Sequence, residues 1–220
     1  MIKDMLPLEG LLREKLGRRP AGIDKLDSLW DAAVLLPLVT SPDGPAVLFE
    51  VRAQTLKRQP GEICFPGGKA ECGDKGFANT AVRETCEELG ITPADITLVG
   101  ELDALVSHSG PIIHPFVGFI ADTAKIVRGK SEVDEVFTVP LAALLAQEPL
   151  RCSMQLADHP GDDFPFELVP YRQRSWRRSK NYYVYFYQYQ GRVIWGMTAR
   201  ILYGFLYRSR GLLEKFLEMS

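Results

Sequence analysis

Residues 65–91 read FPGGKAECGDKGFANTAVRETCEELGI, and this stretch decides the fold. Between Asp74 and Gly90, Ala78, Val82, Thr85, Cys86 and Leu89 recur at the spacing of one helical face suited to packing on a sheet. Asp74 is placed to cap that helix and Gly90 to stop it. In front lies the turn Phe65-Pro66-Gly67-Gly68, whose two glycines let the backbone approach a bound group closely. Glu84, Glu87 and Glu88 fall at i, i+3 and i+4, three carboxylates on one face, read as roughly opposite the apolar stripe. Like charges at this spacing repel and are relieved by solvent, a cation or an arginine. Arg83 stands four residues before Glu87 and can pair with it. Oxygen-only ligands of this kind suit magnesium or manganese, whose usual partner is a phosphate or diphosphate. A solvated acidic face is the ordinary reading of such a run. The glycine turn in front of it favours a metal-bridged anion site, because unaided carboxylates would repel a phosphate.

Upstream, residues 32–40 form an apolar run interrupted by Pro37, and a second run spans 46–52 after the turn Ser41-Pro42-Asp43-Gly44-Pro45. Together they predict a strand pair, with Pro37 at an edge or strand end. A short strand is expected at 63–65. Downstream, 96–99, 102–106 and 115–121 read as strands, 139–147 as a helix introduced by Pro140, 182–189 as an aromatic-rich strand and 198–219 as a closing helix. Residues 5–16 read as an amphipathic helix, followed by a polar linker with Gly17, Pro20 and Gly22. The expected division is therefore 1–29 as helix and linker and 30–220 as one domain, with a C-terminal extension from about 150.

The chain has 220 residues, 46% hydrophobic and 25% charged, within the globular range. Its 26 basic and 28 acidic residues give a net charge of −2, which excludes nucleic-acid binding by bulk charge. Cys64, Cys72, Cys86 and Cys152 form no Cys-x-x-Cys pair, so neither a zinc finger nor a disulfide scaffold is expected. Lys3, Asp4 and Glu9 interrupt any secretory core, and no apolar run approaches a membrane span. A cytoplasmic protein with reduced thiols is the expectation.

The stretch from Gly68 to Asp74 and on through Arg83-Glu84-Thr85-Cys86-Glu87-Glu88-Leu89-Gly90-Ile91 resembles the Nudix box, with its Arg-Glu, two residues, Glu-Glu, one residue, Gly. One extra residue between Gly68 and Arg83, and Asp74 in place of Glu, are similar to the coenzyme A pyrophosphatase branch of that family. Arg52-Ala53, Lys57, Gly61 and Phe65-Pro66-Gly67-Gly68 fall at the spacings of that branch's upstream motif. Phe49-Glu50 stands where the motif has Leu-Thr, and Lys57 where it has arginine. The segments 132–141 and 194–202 are similar as well, so the resemblance covers roughly residues 30–215.

The resemblance implies an α+β Nudix fold, a mixed β-sheet sandwiched between α-helices. It implies metal-dependent hydrolysis of the diphosphate of coenzyme A or its thioesters to adenosine 3′,5′-bisphosphate and (acyl-)4′-phosphopantetheine. Mg2+ or Mn2+ would be held by Glu84, Glu87, Glu88 and the Gly68 carbonyl, with Arg83 orienting a carboxylate. Glu132 is the preferred general base, although Asp134 and Glu135 stand beside it and Glu84 is an alternative. Arg52, Lys57, Arg58, Gly67 and Gly68 are the expected substrate contacts, with a solvated loop as the rival reading of Arg52, Lys57 and Arg58. The basic run Arg172, Arg174, Arg177, Arg178 and Lys180, with Trp176, could take the 3′-phosphate or adenine, or pair with the acidic run 158–167. Rival readings are a Nudix pyrophosphatase for ADP-ribose, NADH or another nucleotide, and a ligand-sensing domain without turnover. The expected partner is a nucleotide-type small molecule, with neither nucleic acid nor membrane, and a homodimer stays open. His108 and His114 are read as loop residues, Cys64 and Cys86 as core-facing, and the tyrosines of 182–189 as edge or interface packing.

Overall fold

A computed structural model of the chain describes residues 6–16, 29–107, 110–129, 131–170 and 177–219. It opens with helix α1, Leu6–Leu16. Met5 and residues 17–28 of the expected helix-and-linker segment 1–29 lie outside the described residues.

The apolar runs flanking the Ser41 to Pro45 turn become β1, Asp31–Ser41, and β2, Gly44–Arg52, paired antiparallel. Two short strands follow, β3 at Ile63–Cys64 and β4 at Gly67–Lys69, then helix α2, Phe77–Leu89. The next strands are β5, Ile96–Glu101, β6, Leu105–Val106, and β7, Ile112–Ile120. They are followed by β8, Val133–Pro140, and a short α3, Leu141–Leu145. The sheet runs β3-β2-β1-β7-β5, with β4 added to β1, β6 to β7 and β8 to β2. Because β1 and β7 are parallel while the other pairs are antiparallel, the sheet is mixed. A second, three-stranded sheet consists of β9, Leu150–Asp158, β10, Arg177–Tyr189, and β11, Arg192–Trp195, in the order β11-β10-β9. Helix α4, Gly196–Glu218, closes the chain, and its Thr198 hydroxyl donates to the Ile63 carbonyl at 3.1 Å.

Alternation along the central strands sends side chains to two faces. Ala33 and Leu35 of β1 meet Ala81 of α2, and Ala46 and Leu48 of β2 meet Leu89 at its end. Leu36, Val47 and Phe49 point the other way, into the core formed with Leu144 of α3 and Leu202 and Phe205 of α4. The result is the α+β arrangement expected, a mixed sheet between helices.

Several expectations are corrected. Pro37 is not at an edge, because β1 is flanked by β2 and β7. It is tolerated where β1 changes partner, from β4 at residues 32–34 to β2 at 38–41. Leu35 donates to the Pro66 carbonyl on that side, so the missing donor of Pro37, two residues on, falls in the gap. The expected helix 139–147 is only α3; its front belongs to β8, a strand whose acidic residues masked its alternation. The expected strand 102–106 shortens to β6, while β7 begins earlier than 115 and takes in His114, which is therefore a strand residue. His114 stacks on Phe77 and pairs with Asp31 at 3.2 Å, and His108 lies outside the described residues. Tyr185 and Tyr187 are buried core residues of β10, the central strand of its sheet, and not edge residues. Strand β9 was not expected, because its mostly exposed side chains carry no apolar period.

Candidate active site

The site is assembled where β2, β4 and α2 meet. Gly67 sits at φ +151°, and a Cβ there would lie 2.4 Å from the Ala33 carbonyl oxygen and 2.6 Å from the Val34 Cα. Only glycine permits that approach. It brings the Gly67 N–H to the Glu88 carboxylate, 2.7 Å from Oε2. At Gly68 a Cβ would meet the Glu84 carboxyl at 2.4 to 2.6 Å, so the bare backbone leaves room for that side chain.

The acidic face of α2 therefore does not lie opposite the packed stripe, which corrects the sequence reading. Glu88 is 4% exposed and belongs with Thr80, Ala81, Thr85 and Leu89 to the buried side of the helix. Glu84 is half-buried over Gly68, and only Glu87 faces solvent. Asp74 does not cap the helix either: Gly76 occupies the N-cap without a side-chain bond. Asp74 instead receives Arg83 Nε at 3.0 Å and Nη2 at 3.1 Å, together with the Thr80 hydroxyl and the Glu71 N–H. These donors, Arg83 foremost, hold its carboxyl well below the usual carboxylate range. The expected Arg83–Glu87 pair is present at 3.4 Å, but Arg83 lies closer to Glu84, at 2.9 Å, and also donates to the Lys69 carbonyl. One guanidinium thus ties the segment after the glycine turn to the acidic helix.

Alternation along β2 adds a residue that sequence reasoning missed. Glu50 follows Ala46 and Leu48 onto the α2 side and is 1% exposed. Its Oε1 accepts from the Cys64 thiol at 3.3 Å, and its Oε2 has no hydrogen-bond partner. Burial pushes both Glu50 and Glu88 above the ordinary carboxylate range, and the charge of Glu50 raises Glu88 further. Glu84 is also raised by burial. A charged residue at an inward position of the alternating run 46–52 was the available signal.

The acidic residues beyond α2 separate by their partners. Asp134 accepts the Gln54 N–H at 3.0 Å, and Glu135 pairs with Arg192. Glu132 is exposed in the turn before β8, not before a helix, and its charge bears on Glu50, Glu84 and Glu88. Arg52 is half-buried, with its Nε inaccessible and unpartnered, while Lys57 and Arg58 are exposed in the segment leading to β3. In the expected basic run, Arg172, Arg174 and Trp176 lie outside the described residues; the backbone register sets Arg177 opposite Asp158.

Among the described residues no three His, Cys, Asp or Glu side chains stand ready-made around a metal position. Glu84 and Glu87 are held by Arg83, and Glu88 by Gly67. The donor set nonetheless fits a hard divalent cation in kind. It is all oxygen, and it includes the orphaned buried Oε2 of Glu50, an atom that costs free energy unless something positive meets it.

Beside this site a cavity of about 320 Å³ is lined by Leu102, Tyr185, Arg200, Tyr203, Tyr207 and Arg208, among others. Its Pro115 pairs with Val34, which pairs on its other side with Gly67, so the cavity wall is two strands, about 10 Å, from the glycine turn.

A mixed sheet that presses an acidic helix against a glycine turn defines a class of hydrolases acting on phosphoric anhydrides. The NUDIX domain family matches residues 30–155, and the chain belongs to it, among enzymes that act on the pyrophosphate bonds of nucleoside diphosphate derivatives. It is 34% identical over 177 residues to an uncharacterized Nudix hydrolase, NudL, of Photorhabdus laumondii, covering 80% of this chain and 83% of that one. The NudL of Pectobacterium atrosepticum is 31% identical over 184 residues, covering 84% and 85%. Among solved structures, RenU, a Nudix hydrolase from M. smegmatis, is 23% identical over 50% of this chain and 70% of its own, with a TM-score of 0.43. No helix among the described residues is long and apolar enough to cross a membrane.

Proposed function

We propose that this enzyme hydrolyses the diphosphate of coenzyme A or its thioesters, giving adenosine 3′,5′-bisphosphate and (acyl-)4′-phosphopantetheine. The observation that carries the hydrolytic part is the convergence of Glu84 and Glu88 of α2 with the Gly67-Gly68 turn, with Arg52 on the adjacent strand. In this reading Glu84, Glu87, Glu88 and the Gly68 carbonyl hold Mg2+ or Mn2+. When bound, the cation neutralises the diphosphate and lowers the pKa of an attacking water. Arg83 positions Glu84 and Glu87 while anchored on Asp74. Glu132 serves as general base; its neighbours Asp134 and Glu135 are engaged elsewhere. The half-buried guanidinium of Arg52 supplies positive charge for a phosphoryl oxygen, and Lys57 and Arg58 add exposed positive charge.

The coenzyme A assignment is supported by the upstream segment 52–68 and by the neighbouring cavity. Tyr185 and Tyr203 stack at 4.3 Å between centroids, Arg200 lies over Tyr185, and Arg208 stands at the rim paired with Asp103. Aromatic faces beside arginines suit an adenine carrying an extra phosphate. A cytoplasmic setting belongs to the same proposal and agrees with four cysteines that form no disulfide.

The test is to incubate the purified chain with Mg2+ or Mn2+ and coenzyme A and to identify the products. Release of adenosine 3′,5′-bisphosphate is expected. Turnover of ADP-ribose or NADH with coenzyme A untouched overturns the substrate, and single-turnover silence on all three favours a sensor.

A further inference from the structure

We infer that Glu50 is a further ligand of the divalent cation, binding it jointly with Glu88 from the strand side of the site. The inference rests on the reading that the α2 carboxylates hold a metal, and extends it to a residue outside the helix. Glu50 comes from β2, almost fully buried, and its carboxyl lies within hydrogen-bonding reach of that of Glu88, itself 4% exposed. Two ionised carboxylates at this distance have no donor between them, so they are relieved by a shared proton or by a cation. Each has one oxygen satisfied from the protein: Oε1 of Glu50 by the Cys64 thiol, and Oε2 of Glu88 by the Gly67 N–H. The other oxygen of Glu50 has no partner. The charge of Arg52 on the same strand favours the Glu50 carboxylate, but this oxygen and the buried Nε of Arg52 are both left without a hydrogen-bond partner.

A surface acid could leave that oxygen to water, but a residue 1% exposed cannot. The arrangement is that of a half-made coordination shell: hard oxygen donors, one fixed by a backbone N–H and one by a thiol, with an oxygen of Glu50 left over. A divalent cation between them meets the oxygen that Arg52 leaves without a partner. Position 50 is also where the upstream segment departs from the motif it otherwise resembles, with a carboxylate in place of a hydroxyl. An added inner carboxylate makes the site more negative and favours a tightly held cation.

The experiment is Mn2+ binding to the full chain, without substrate, by electron paramagnetic resonance and calorimetry, for the wild type, Glu50→Gln and Glu88→Gln. Weakening of about 10-fold or more is expected in both variants. Thermal unfolding is the second readout. Without metal, Glu50→Gln should melt no lower than the wild type, because it removes an uncompensated charge. The rise in Tm on adding Mn2+ should shrink in the same variant. If Glu88→Gln weakens binding and Glu50→Gln matches the wild type, the role of Glu50 is overturned while the helix site stands. If neither variant changes, the metal reading itself fails. Loss in Glu50→Gln alone overturns the joint binding with Glu88. Should the amide variant not fold, Glu50→Thr is read by the same criteria.

Discussion

Arg83 and Asp74, nine residues apart, meet through two parallel contacts, Nε to Oδ1 at 3.0 Å and Nη2 to Oδ2 at 3.1 Å. The same guanidinium reaches Glu84 and Glu87, so the pair fixes the angle at which the acidic helix meets the segment after the glycine turn.

Asp74→Asn should lower activity about 10- to 100-fold, the usual cost of losing a partner that orients ligands. It should also change the acid limb of stability. The folded carboxyl of Asp74 is depressed, so its contribution is present above the unfolded value of about 3.9 and is lost as pH falls below it. Urea midpoints between pH 6 and pH 3 should therefore fall more steeply for the wild type than for the variant. Equal slopes would count against the pair.

The two glycines should fail differently. Gly67→Ala drives a Cβ into the backbone of Ala33 and Val34 at a positive φ, and the protein should lose more than about 1 kcal/mol of stability. Gly68→Ala meets only the far end of the Glu84 side chain, so Tm should hardly move while kcat falls. Parallel melting curves and rates check the contrast.

Glu132→Gln should reduce kcat by about 10²- to 10⁴-fold, the range for a lost general base, and leave Mn2+ affinity nearly unchanged. A large loss of Mn2+ binding would move Glu132 from base to ligand.

Phe49 stacks between Phe65 and Phe137, with centroids 5.1 and 5.6 Å away, and is fully buried. Phe49→Ala should cost about 3 to 5 kcal/mol, read from denaturant unfolding.

Legibility in the sequence followed the strength of local signals. The period of α2, the strand pair around the Ser41 turn and the start of β3 were readable, because each combines a hydrophobic period with turn residues. Strand β8 was not, since Glu132, Asp134 and Glu135 made a paired strand look like a loop, and pairing with β2 outweighs that local character. The candidate residues of α2 were legible from spacing, but their burial was not. Whether Glu88 faces water depends on how the helix lies on Gly67, a tertiary contact between residues 21 apart. Glu50 was overlooked although it stands at an inward position of the alternating run 46–52, because what it meets there, Cys64 and the buried side of α2, is set by the fold.

The alternation of β2 has a final consequence for how this protein can change. Val47 and Phe49 feed the aromatic interior, while Ala46, Leu48 and Glu50 feed the side covered by α2. A single-residue insertion or deletion between positions 46 and 50 would exchange the two sets, driving a carboxylate into the oily half and a phenyl ring among the acids. Point substitutions in this strand can therefore tune either side separately, whereas any odd shift in length damages both.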